Sequence, residues 1–295
     1  MSLGHDWARR SGVAVSASNL RAGARLLAVA GAIALAGCAA KPPVPAPFAL
    51  AGGSFVDLTH DADEDGIFWP TAAEFRLEEV AHGETEGGWH YSAYNIFTAE
   101  HGGTHLDAPI HFAEGGQATH EVSISRLIGP VFVLDVTEQS AADRDYLVSV
   151  DDLRAWEAEH GRLPDGAILL VRTGFSRFWP DKAAYLGTAE RGAAAVPKLH
   201  FPGLSPELAR FLVEERSVGA VGIDTASLDR GQSTDFMAHR ILAAANVPGF
   251  ENVAQLDRLP ATGATVIALP MKIRGGSGGP LRIVAHLPGA PIRGR

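Results

Sequence analysis

Four short runs of apolar and β-branched residues recur along the chain: VFVLDV (131–136), AILLVRT (167–173), VGAVGIDT (218–225) and ATVIALP (264–270). Each is nearly continuous in apolar character, the pattern of strands buried on both faces. Between them the apolar spacing changes to that of helices. SVDDLRAWEAEHG opens on a capping-box pair, Ser149 and Asp152, and closes on Gly161. SPELARFLVEER places Ser205 at an N-cap, Pro206 at the first helical position, and Leu208, Phe211 and Leu212 on one face. TDFMAHRILAAANVPG reads as a third helix, closed by Asn246 and Pro248. Upstream, GWHYSAYNIFT (88–98) alternates well enough to be a strand. Strands interleaved with helices predict an α/β domain with a mixed sheet and flanking helices.

The first residues fit none of this. Arg9, Arg10, Arg21 and Arg25 precede a short apolar run, LLAVAGAIAL (26–35), and then LAGC, ending in Cys38. About ten apolar residues are too few to span a bilayer, which takes roughly 20. A basic leader, a short apolar run and small residues are the signature of a secretory signal. The small residues end in the chain's single cysteine, which resembles a bacterial lipobox. Residues 1–37 are therefore expected to be a lipoprotein-type signal peptide, with Cys38 lipidated. Residues 38–53, rich in Pro, Ala and Gly, read as a tether, and 54–295 as one folded domain without composition break or repeat. The expected address is the cell envelope, on the outer membrane facing the periplasm in a two-membrane cell, because Ala39 is not a retention Asp. An ordinary cleaved signal would leave the protein periplasmic. Removing residues 1–37, with four arginines and one aspartate, moves the formal charge from −9 to −12. No basic patch remains to suggest nucleic acid. One cysteine allows no internal disulfide, so core burial must stabilise the domain.

Chemistry concentrates in EHGGTHLDAPIHF (100–112). His101 and His105 are four apart, but Gly102, Gly103 and Thr104 are poor helix formers and Pro109 follows. A glycine turn running into an extended segment fits better, and there His105 and Asp107 point to the same side. Imidazoles with a carboxylate form the mixed set favoured by Zn²⁺ or Mn²⁺. The alternative is a solvated His-rich loop. Further ligands must come from elsewhere, and the candidates are His239, placed on the polar side of the third helix, and Glu251, just beyond it.

HGGTHLDAPIHF resembles the metal motif H-x-G-T-H-x-D-x-P-x-H of the cyclase superfamily, the kynurenine formamidase-like metal hydrolases. GIDTASLD and HRILAAANVPGFENV match its second half, and the resemblance runs from about residue 55 to 287. It implies a swivelling β/β/α-type fold. His101, His105, Asp107, His239 and Glu251 become ligands of one or two divalent ions, Zn or Mn, and His111 takes the place of the catalytic histidine. HFPGLSPE, GIDTASLDRGQSTDF and RGGSGGPLR look more like the isatin-hydrolase branch. The formamidases usually carry W-P-G-D, whereas here Trp69 and Pro70 are followed by Thr71 and Ala72, which points away from formylkynurenine.

The resemblance thus implies a hydrolase of C–N bonds other than peptide bonds, acting on a cyclic or aryl amide through an ion-activated water. His111 would be the proton shuttle, its ordinary pKa lying near working pH. Trp69, Phe68 and Phe112 are candidates for an aromatic wall, and Thr104 and Ser227 for supporting or substrate hydrogen bonds. A homo-oligomer, dimer or tetramer, is expected from relatives. The rivals are a lyase, dehydratase or lactonase on the same scaffold, and a non-catalytic tethered binding lipoprotein.

Overall fold

The computed structural model describes residues 52–289; the expected signal segment, Cys38 and most of the expected tether lie outside them. Twelve strands and five α-helices follow in the order β1 (Ser54–Asp57), β2 (Arg76–Glu84), β3 (His90–Phe97), β4 (His105–Asp107), β5 (Ile128–Asp135), α1 (Thr137–Ala142), β6 (Leu147–Val148), α2 (Val150–His160), β7 (Ile168–Arg172), α3 (Lys182–Leu186), β8 (Gly203–Leu204), α4 (Pro206–Glu214), β9 (Ala220–Ile223), α5 (Met237–Ala244), β10 (Gly249–Glu251), β11 (Ala264–Pro270) and β12 (Gly278–Leu287).

Eight strands form one sheet in the order β1-β12-β11-β5-β7-β9-β10-β4, and β4 also pairs with β12, so the sheet closes into a barrel-like ring. β5, β7, β9 and β10 run parallel, and β4, β11 and β12 join antiparallel. This is the mixed α/β architecture expected.

The uninterrupted apolar runs follow from burial on both faces. Along β7, Ile168 and Leu170 face the barrel interior with Val131, Phe250, Val266 and Ile283. Leu169 and Val171 face outward and meet Leu153, Leu208, Leu212 and Leu242 of the helices. Two apolar layers thus share one sheet.

The helix signals are realised with some trimming. Ser149 and Asp152 form the capping box of α2, and Gly161 ends it. Ser205 accepts from the Leu208 N–H at the start of α4, with Pro206 in its first turn. The third helix is shorter than its sequence suggests. Phe236 takes a left-handed φ of 51°, so Thr234 to Phe236 stay outside and α5 begins at Met237.

β2 and β3 form a two-stranded sheet of their own. The expected strand over 88–98 is present, but it belongs to this ribbon rather than to the barrel.

Candidate metal centre

β4 and β10 lie side by side with His105 opposite Glu251 in register. Alternation along β4 sends Leu106 into the barrel core, leaving His105 and Asp107 on the opposite face, as the extended-segment reading requires. The preceding turn uses Gly103 at φ 59° and delivers His101. α5 supplies His239, which is buried. That corrects the placement on the helix's polar side: the imidazole belongs to the inward face, where its partners are carboxylates rather than water.

The five candidate ligands converge. Asp107 Oδ1 lies 2.6 Å from His101 Nδ1 and 3.2 Å from His105 Nε2. Asp107 Oδ2 is 3.0 Å from His239 Nε2. Glu251 reaches His105 Nε2 at 3.3 Å and His239 Nε2 at 2.9 Å. Asp107, His105, His239 and Glu251 are all buried.

The outward nitrogens explain what the inward ones can do. His105 Nδ1–H donates to the Gly103 carbonyl at 2.9 Å, and His239 Nδ1–H donates to Asp229 at 2.6 Å. Ser277 Oγ donates to Glu100 at 2.7 Å, so it accepts from His101 Nε2–H at 2.9 Å. Each neutral ring then turns a lone pair toward carboxylate oxygens, which are acceptors too. His105 Nε2 is a buried nitrogen without a hydrogen-bond partner. Acceptors facing acceptors in a buried site call for a cation between them, so the donor set fits a divalent ion.

The titration behaviour shows the same demand for positive charge. Burial opposes a charged His105, yet the carboxylates of Asp107 and Glu251 outweigh it and raise its pKa to about 10. His239 is likewise raised well above the ordinary value, its burial outweighed by Asp107, Asp229 and Glu251. Burial would raise Asp107, but His101, His105 and His239 hold it well below the usual carboxylate range. Without an ion, protons take the cation's place.

In front of the cluster opens a cavity of about 310 Å³. Its walls include the predicted Trp69, Phe68, Phe112 and Ser227, together with Phe236. A short 3₁₀ turn, Pro109–His111, brings His111 there. Its ring stacks on His101 with centroids 3.9 Å apart, and burial of much of the ring lowers its pKa to about 4, Asp107 pulling the other way, so the expected value near working pH is not kept. Thr104 does not line this cavity. Its hydroxyl donates to the Asn252 carbonyl and accepts from the His60 N–H, tying the motif to the residue that follows β10 and to the N-terminal loop.

Sequence reasoning missed Asp229, Glu100, Ser277, Phe236 and Asn252. Asp229 sat within GIDTASLD and Ser277 within RGGSGGPLR, but only the fold shows that they grip the outer nitrogens. Asn252 donates to the Gly103 carbonyl and accepts from the Tyr185 hydroxyl, bracing the oxygen that orients His105.

The Cyclase family model matches residues 56–230. The chain belongs to the Cyclase family. Among Cyclase relatives, isatin hydrolase of Roseibium aggregatum is 35% identical over 232 residues, covering 76% of this chain and 85% of that protein. Kynurenine formamidase of Salinibacter ruber is 27% identical over 237 residues, covering 78% and 96%. A crystal structure of an isatin hydrolase bound to the product analogue thioisatinate superposes with a TM-score of 0.71 at 31% identity, covering 80% and 92%.

Proposed function

We propose that the protein is a metal-dependent amidohydrolase opening the C–N bond of a compact cyclic or aryl amide, isatin-like rather than formylkynurenine-like. The observation that carries this reading is the set of three imidazoles and two carboxylates, all but His101 buried, with lone pairs turned inward beside an aromatic cavity. His101, His105, Asp107, His239 and Glu251 would hold one or two ions, Zn or Mn. Bound there, an ion supplies Lewis acidity toward a carbonyl oxygen and lowers the pKa of water. His111, neutral well below pH 7, accepts a proton from the attacking water on a ring nitrogen and returns it to the departing amide nitrogen. Trp69, Phe112 and Phe236 receive a flat ring and exclude water. The Ser227 Oγ accepts from the Asp229 N–H at 3.2 Å, which leaves its own proton for the substrate.

Substrate class rests on the more similar isatin hydrolases and on Ala72. Ala72 lines the cavity where the formamidases usually carry the Asp of W-P-G-D. A carboxylate there would attract an ammonium group; a methyl group offers only apolar contact. The test is a panel of cyclic amides, aryl formamides and lactones with Mn²⁺- or Zn²⁺-loaded protein. Cyclic amides should be opened fastest, and chelation or Asp107→Ala should abolish both turnover and bound metal. Preference for lactones over every amide would make this a lactonase, and no turnover by folded, loaded protein would leave a binding protein.

The same reading extends to assembly and address. The β2–β3 ribbon exposes Leu77, Val80, Trp89, Tyr91, Ile96 and Phe97, each 45% to 62% accessible. A two-stranded ribbon is marginal alone in water, and adjacent Ile96 and Phe97 present apolar groups on both faces, so a second copy of the chain is the proposed cover. Lipidation at Cys38 is proposed from LAGC. Labelled palmitate should enter the protein, and Cys38→Ala should abolish labelling. Membrane-free, unlabelled mature protein would reduce the segment to a cleaved signal.

A further inference from the structure

Behind the catalytic cavity lies a second one of about 160 Å³, lined by apolar groups of Phe75, Ile96, Met271, Pro280 and Leu281. The two cavities share Phe68 and Gly102 as wall residues. Phe68 is buried, and its backbone bridges to Gly102. Its ring lies directly over that glycine. A Cβ at position 102 would stand 1.9 Å from Phe68 Cδ1, so the free position of the metal motif is held to glycine by this ring rather than by an ion.

We propose that Phe68 is a specificity-determining residue: its ring partitions the two cavities and restricts the catalytic one to compact amides. This rests on the amidohydrolase reading. The front cavity, about 310 Å³, sits at the small end of the roughly 300–1,000 Å³ typical of ligand pockets. Beyond Phe68 the walls suit an aryl amide carrying an uncharged apolar tail, since Asp61 and Asp63 border the second cavity and disfavour an anionic one. The backbone bridge does not need the ring, so truncating the side chain joins the cavities while the motif keeps its path.

The experiment compares ion-loaded wild type, Phe68→Leu and Phe68→Ala on aryl amides whose alkyl tails lengthen stepwise. Calorimetric binding of the matching aryl carboxylate products is measured alongside, because it needs no turnover. One methylene in an apolar pocket is worth roughly 10–200-fold. The ratio of kcat/KM for long over short tails should therefore rise about tenfold or more in Phe68→Ala, less in Phe68→Leu, with metal content unchanged and product affinities shifting the same way. Unaltered ratios and affinity order in both folded, loaded variants would overturn the proposal; if Phe68→Ala does not fold, Phe68→Leu decides. A shifted product order with no amide turnover by any form would leave the partition standing and remove the amidohydrolase reading instead.

Discussion

His101, His105 and His239 each have an outward nitrogen tied down, by Ser277, the Gly103 carbonyl and Asp229 respectively. His111 is held differently, by stacking on His101 and edge contact with Phe112. That difference sets the proposed ligands apart from the proposed proton carrier. His111→Ala should retain near-normal metal by elemental analysis and lose about 10²–10⁴ in kcat, the usual contribution of a general acid–base group, with KM changed little. One feature competes: ligand atoms of His101, Asp107 and His111 all lie within 4.8 Å of one another. Loss of metal in the variant would therefore make His111 a ligand. The motif residues were legible because His105, Asp107 and His111 are close in sequence. Asp229 was not, because a carboxylate that orients a ligand has no spacing rule linking it to that ligand.

Elements were legible where burial is two-sided or a cap is local. ATVIALP coincides with β11, Ala264–Pro270, and the Ser149 and Ser205 caps begin α2 and α4. Two features depended on distant contacts. The start of α5 is set by the left-handed Phe236, whose ring packs toward Phe112 and Trp69 in the cavity wall. The alternation over 88–98 predicted the strand β3 but not its partner β2, because the ribbon's pairing depends on a second strand with no matching local signal. If a second copy covers it, Ile96→Asp with Tyr91→Asp should give a smaller species by light scattering while metal content stays normal. Unchanged mass would assign the ribbon's apolar faces to another partner or to none.

Across the whole molecule, closure of the sheet was beyond reach of any local pattern. It requires β4, three residues long, to pair with both β10 and β12. The closed site also couples stability to pH. In metal-free protein His105 carries a folded pKa of about 10, above the ordinary 6.5, and His239 is raised in the same direction. Their stabilisation is complete below pH 6.5 and is lost as pH rises toward 10, by up to about 1.4 kcal/mol per pH unit for each titrating group. A bound divalent ion replaces those protons. Chelated protein should therefore lose thermal stability between pH 6.5 and 10, while loaded protein holds its Tm. Parallel curves for the two forms would show that the imidazoles do not exchange protons for metal.

Asp107 and His239 stand 132 residues apart in the chain. β12, which flanks β4 on its other side, is the last strand described. The donor set therefore exists only after nearly the whole domain has been threaded together. An ion held by all five donors therefore binds the native state in preference to the unfolded chain and stabilises it by mass action. It would act as a latch on a barrel whose closure rests on the apolar layers.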